Sequence, residues 1–222
     1  MNEKRKPRFL LGALLLIAFI LWTVLIKLVD VQIAGPNETE VGFASFNIWF
    51  HRATGIHLLL YSITDWLGLI PIFICLCFGF TGFAQLLKRK CLLKVDKDIL
   101  LLGVYYIIVI GLYLLFEMFP INYRPILIEG RLEASYPSST TLLVLSVIPT
   151  LIFQTDLRIK KLKLKNAINC SAVVFSVFMV IGRLISGVHW ATDIIGSVLL
   201  SFGLFELYSY FAIKNSQKLS ED

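Results

Sequence analysis

Apolar residues in this chain come in runs near twenty long, broken by short polar stretches. The runs are Phe9–Val29, Trp66–Leu87, Ile99–Phe119, Ser138–Phe153, Ala167–Ile185 and Trp190–Ile213. About 20 apolar residues in a helix span a hydrocarbon core. The pattern therefore predicts an all-α, polytopic membrane protein with six transmembrane helices in a bundle. The alternation of a membrane barrel strand is absent. Lys4, Arg5, Lys6 and Arg8 precede the first run, which is too long for a signal peptide and lacks a small-residue cleavage site. It is expected to remain as the first helix.

The stretch 30–65 reads differently. Gly35-Pro36-Asn37 marks a turn. Phe43, Phe46, Trp49 and Phe50 then interleave with Asn47, His51, Arg52 and His57 up to about Leu60. Aromatics favour the headgroup level, so the pattern predicts an interfacial helix or two between the first and second spans. Pro71 predicts a kink near the start of the second span. No internal repeat and no low-complexity linker is present, so residues 1–222 are expected to form a single membrane-embedded domain.

Charge fixes the expected orientation. The basic residues concentrate at the N-terminus, at Lys88–Lys97, at Arg158–Lys165 and in the tail from Lys214. The alternate connections, 30–65, 120–137 and 186–189, hold only Arg52, Arg124 and Arg131. The positive-inside rule then puts both termini in the cytoplasm and the other three connections on the outer face. The net charge is +6, but it lies between apolar runs and offers no soluble basic face for a nucleic acid. Hydrophobic residues make up 57% and charged residues 16%, against about 45–50% and about 25% in soluble domains. Cys75, Cys77, Cys91 and Cys170 show no metal-binding spacing and read as buried or free thiols.

Two outer-face stretches carry the chemistry. In the second, His189 and Asp193 are four residues apart, so on a helix they share a face. A carboxylate bonded to one imidazole nitrogen fixes the tautomer and leaves the other nitrogen free to attack. Arg183 lies six residues earlier, and guanidinium forms paired bonds to phosphate oxygens. Gly187 permits the turn between them. Asp193 stands inside the start of an apolar run, where ionisable residues are functional by default. In the first stretch, Arg124-Pro125 precedes Pro137-Ser138-Ser139-Thr140-Thr141, a hydroxyl cluster at a helix start. Helix N-termini bind anions. The set suits a phosphate ester.

These residues resemble the type 2 phosphatidic acid phosphatase family of membrane lipid phosphatases. Its first motif is a lysine, six residues and Arg-Pro; its second is Pro-Ser-Gly-His. The third is Ser-Arg, five residues, His, three residues, Asp. Arg124-Pro125, Pro137-Ser138, and Arg183, His189 and Asp193 match. Glu117 replaces the lysine, Ser139 the glycine, Thr140 the histidine and Gly182 the serine. The resemblance implies a nucleophilic His189 forming a phosphohistidine, oriented by Asp193. It implies phosphate binding by Arg124, Arg183 and the Ser138, Ser139, Thr140 cluster, with Arg131 and Glu117 as accessory candidates.

The family's motif histidine protonates the leaving group, and a threonine hydroxyl cannot do that at neutral pH. A diphosphate substrate releases a phosphate, whose second pKa is about 6, and needs such an acid far less than a monoester does. The reading therefore favours a polyprenyl diphosphate, undecaprenyl diphosphate first, in a bacterial plasma membrane. No metal or cofactor is required, and no protein partner is indicated. Two alternatives stay open within the family: an inactive relative that binds or moves lipid phosphates, and a phosphatidic acid or phosphatidylglycerol phosphate phosphatase. A small transporter would instead need broken helices at mid-membrane.

Overall fold

The computed structural model describes residues 6–221, with side chains from Pro7 to Ile213. Expectations resting on the side chains of Lys4, Arg5 and Lys6 and on the tail from Lys214 lie outside the described residues. Helix α1 covers Lys6–Leu28 and leads to a two-stranded antiparallel hairpin, β1 Gln32–Ile33 and β2 Glu40–Val41. Then come α2 Ala44–Thr54, α3 Leu58–Leu67, α4 Leu69–Arg89, α5 Lys97–Met118, α6 Ser139–Arg158, α7 Leu162–Ile185 and α8 Ala191–Glu221. Six helical stretches are long and apolar enough to cross a membrane, with α3 and α4 counted as one stretch, Leu58–Arg89. The chain is thus an all-α membrane bundle, as the hydropathy pattern predicts.

Helices α6 and α8 are the most buried of these stretches, and α4 belongs to the bundle's surface. One core cluster joins Phe19 and Ile26 of α1 to Leu102, Tyr105 and Val109 of α5, Leu142 of α6 and Leu200 of α8. Lipid gives helices no hydrophobic reason to associate, so close packing and interhelical hydrogen bonds hold them. Tyr106 Oη lies 2.7 Å from Thr150 Oγ1. Tyr105 donates to the Ser146 carbonyl at 3.1 Å, and Gln154 donates to Tyr208 Oη at 3.1 Å.

Three local expectations change. The aromatic-rich stretch expected to lie wholly at the interface divides at Gly55. Its first half is α2, which exposes Trp49 and buries Asn47. Its second half is α3, which continues almost directly into α4. At about 1.5 Å per residue this stretch of helix is longer than a straight crossing of the about 30 Å core requires. Second, Pro71 falls in the first turn of α4, where a missing N–H costs no helical bond. The interruption is at Gly68, whose N–H reaches the carbonyls of Thr64 and Asp65. Third, α7 begins at Leu162, so Lys163 and Lys165 lie in a helical turn instead of a loop. Lysine is a good helix former, and both side chains reach water from that turn.

Candidate functional site

Four segments meet at one end of the bundle: α3, the α5–α6 connection, the end of α7, and the turn 186–190 leading into α8. The α5–α6 connection folds back as a narrow hairpin. Tyr123 bridges Ala134 and Ile128 bridges Arg131, with Glu129 and Gly130 at positive φ in the tip. The Arg124 N–H bonds the Glu133 carbonyl at 3.1 Å, and the Ser135 N–H bonds the Asn122 carbonyl at 2.9 Å. This register sets Arg124, Asn122 and Ser135 side by side.

The turn after α7 depends on Gly187, at φ +73°. A Cβ there would come within 2.3 Å of the Gly55 carbonyl oxygen, so the α2–α3 link packs directly on it. That link also braces the turn by hydrogen bonds. The His57 N–H bonds the Ser186 carbonyl at 2.9 Å, and His51 Nε2 lies 3.0 Å from the Gly187 carbonyl. The segment that reads as separate and interfacial is thus a wall of the site.

His189 is 3% exposed and Arg183 1%. Arg183 Nη2 lies 3.3 Å from His189 Nε2. Guanidinium has no acceptor, so Nε2 accepts and Nδ1 carries the hydrogen. Nδ1 lies 3.0 Å from Ser135 Oγ and 3.2 Å from the Ser135 carbonyl, which can only accept. Burial, then the charges of Arg183 and Arg124, push the imidazole well below its ordinary pKa. The ring is neutral at pH 7, with its Nε2 lone pair turned toward Arg183.

The expected direct bond between His189 and Asp193 is replaced by a relay. Ser135 Oγ donates to Asp193 Oδ2 at 2.5 Å and contacts His189 Nδ1 on its other side. The reason is local: α8 begins at Ala191, so His189 sits in the turn and shares no helical face with Asp193. Asp193 also accepts from Asn122 Nδ2 at 3.3 Å and from the Trp190 N–H at 3.0 Å. The last contact is the acidic half of a capping box, so Asp193 both starts α8 and anchors the relay.

Arg124 and Arg183 both stand over the Tyr61 ring, 5.7 and 4.8 Å from its centroid. Arg124 Nη2 pairs with Glu133 Oε2 at 3.1 Å, and Arg183 Nη1 with Asp65 Oδ1 at 3.6 Å. The Nε and Nη1 atoms of both arginines have no hydrogen-bond partner, nor has Ser138 Oγ, although all are buried. Ser138 precedes α6 without capping it through its side chain, and its N–H reaches the Asp193 carbonyl at 3.5 Å. A cluster of unfilled buried donors beside a neutral imidazole is a cradle for an anion.

Ser139 and Thr140 line a cavity of about 490 Å³ between α4, α5 and α6. Asp65 lines it too, and the rest of the lining is largely apolar, with Leu69, Ile72, Val109, Ile110 and Leu143. Two accessory candidates stand apart. Arg131 is exposed in the hairpin tip, two residues before Glu133, whose carbonyl holds the Arg124 N–H. Glu117 is exposed near the end of α5, beside Tyr113 and Pro137. Ser135, Asn122, Tyr61 and Asp65 are absent from the sequence-based set. Asp65 carries the signal that singled out Asp193, a carboxylate beside an apolar run. Ser135 and Asn122 depend on a hairpin register that helical spacing does not encode.

The model of the PAP2 superfamily matches residues 98–217, more than half of the chain. No curated protein sequence matches it. Among solved structures, the chain is similar to a transmembrane PAP2-type phosphatidylglycerolphosphate phosphatase from Bacillus subtilis. The identity is 20% and the TM-score 0.66, covering 91% of this chain and 96% of that one. At that identity the likeness concerns the fold.

Proposed function

The chain belongs to the PAP2 superfamily, and we propose that it hydrolyses a lipid diphosphate through a phosphohistidine on His189. The observation that carries this reading is the set of unfilled buried donors on Arg124, Arg183 and Ser138, with Arg183 directly on the Nε2 lone pair of a neutral imidazole. The terminal phosphoryl group accepts bonds from these donors and from the first N–H groups of α6. Nε2 attacks phosphorus while Nδ1–H stays bonded to Ser135, which Asp193 holds in turn. The ring thus takes up positive charge without losing its proton. Two guanidinium groups supply the charge stabilisation, so this reading needs no metal.

The leaving group selects the substrate class. Thr140 lines the cavity and offers no acid of suitable pKa. A leaving phosphate needs none, whereas an alkoxide does, so the reading favours a diphosphate over a phosphatidic acid or phosphatidylglycerol phosphate. The apolar cavity between α4, α5 and α6 suits a prenyl tail, which makes undecaprenyl diphosphate the preferred substrate. The basic asymmetry supports a site on the outer face of a bacterial plasma membrane, with residues 1–222 acting as one unit. Phosphate release by the purified protein from a panel of lipid mono- and diphosphates tests the reading. Turnover of polyprenyl diphosphate with little turnover of phosphatidic acid is expected. Equal turnover of both refutes the leaving-group argument. No turnover, with phosphate-dependent lipid binding, shows an inactive relative.

A further inference from the structure

The hydrolysis of a phosphohistidine needs a base for water, and the tautomer of His189 decides where that base is not. Nδ1 keeps its proton throughout, bonded to Ser135. When the Nε2–phosphorus bond breaks, its electron pair returns to Nε2 and restores the resting ring. Nothing in that cycle takes the proton of the attacking water. Arg124 and Arg183 are permanent cations and accept no proton.

Two carboxylates pair with these arginines. Glu133 sits on Arg124, in the hairpin, and does not line the cavity. Asp65 sits on Arg183 and does. Asp65 and His189 contact different nitrogens of one guanidinium, Nη1 at 3.6 Å and Nη2 at 3.3 Å. A phosphoryl group held by Arg183 is therefore within reach of both. The Asp65 side chain is 57% exposed and stands on α3 at the same end of the bundle as His189, the end from which the attacking water is to enter and the captured proton to leave.

The placement of Asp65 is built into the helix packing. Gly182 of α7 has Thr64 of α3 against it, where a Cβ would come within 2.7 Å of Thr64 Cγ2. That approach carries the last turn of α3, with Asp65, onto Arg183. At Gly68, one turn on, a Cβ would lie 3.4 Å from Thr140 Cγ2. Asp65 and Thr140 both line the cavity.

We propose that Asp65 is the general base for dephosphorylation of His189, a step that rests on the phosphatase reading above. Water attacks phosphorus opposite Nε2 and gives its proton to the Asp65 carboxylate. The oxygen–phosphorus bond forms, the Nε2–phosphorus bond breaks, and inorganic phosphate departs. The division of labour follows: the first half-reaction needs no acid because the leaving group is a phosphate, and the second uses a base from outside the phosphatase motifs.

The test compares wild type with Asp65→Asn in pre-steady-state assays, with excess polyprenyl diphosphate labelled in the terminal phosphate. Asparagine preserves the shape and a bond to Arg183 but cannot take the proton. The expected result is a normal first burst of the lipid product, steady turnover lowered about 100-fold or more, and accumulated acid-labile, alkali-stable phosphoprotein. Formate added to Asp65→Ala should speed loss of that label. Lipid release slowed together with phosphate release, without accumulated label, overturns the proposal and leaves Asp65 a mere counterion of Arg183. If wild type itself forms no phosphoprotein and releases no phosphate, the phosphatase reading fails, and this proposal with it.

Discussion

At one end of the bundle, basic residues meet carboxylates in the open. Arg89 pairs with Asp96 at 2.8 Å, Arg158 with Asp98 at 2.5 Å and Lys165 with Asp156 at 3.2 Å; the two arginine side chains are 39% and 40% exposed. At the other end, Arg124 and Arg183 are 8% and 1% exposed, and each keeps two nitrogens without a hydrogen bond. The residue types are the same and the physics is not. Exposed pairs are screened by water and contribute roughly 0–1 kcal/mol each. A buried guanidinium with unfilled donors costs stability, about 1–3 kcal/mol or more per charged group left unsatisfied. Among the described residues, buried guanidinium groups with unfilled donors occur only at the end around His189. Counting charges separates the two ends by topology; asking which donors are filled separates them by purpose.

His189→Ala gives the largest expected loss, at least about a thousandfold in turnover, as for other covalent nucleophiles. Phosphate release from the diphosphate substrate measures it, and residual turnover within tenfold of wild type would mean that this end is no more catalytic than the other. Arg183→Lys comes next. It keeps the charge and loses the fork, and should lower kcat by about 100- to 1,000-fold. The matched change Arg158→Lys should leave kcat unchanged, and a similar loss from both would erase the contrast. Ser135→Ala cuts the link between His189 and Asp193 while leaving both in place. A loss of about 10- to 100-fold is expected, in the range of outer-shell partners. Asp98→Asn has the smallest effect, a change in unfolding free energy of roughly 0–1 kcal/mol with normal turnover. Denaturation in detergent with a parallel assay checks it.

The spans and the edge location of the site are readable because both follow from lengths and signs. A run of about twenty apolar residues allows few structures in lipid, and arginine or aspartate beside such a run needs a reason to be there. The nearness of Arg183 to His189 also follows from a short spacing across a Gly187 turn. The relay does not. His189 and Asp193 share a helical face only if α8 starts two residues sooner than it does. What stops it is the turn, held by the α2–α3 link through Ser186 and Gly187. Ser135 becomes legible only once Tyr123 is known to bridge Ala134. α3 is hidden for a different reason. Its residues mix apolar and polar types as an interfacial helix does, and only its continuation into α4 identifies it as the head of a span.

The contact between Gly182 and Thr64 has a consequence for how this sequence can vary. Position 182 carries serine in the family's third motif and has no room for a side chain here, because a methyl of Thr64 fills the space. The two positions hold one volume between them. A lineage that gains a side chain at 182 must give one up at 64, or let α3 drift away and take Tyr61 and Asp65 from Arg183. Among relatives that share the present arrangement, glycine at 182 and a branched residue at 64 should travel together. Their separate inheritance would mark the point where the site was rebuilt.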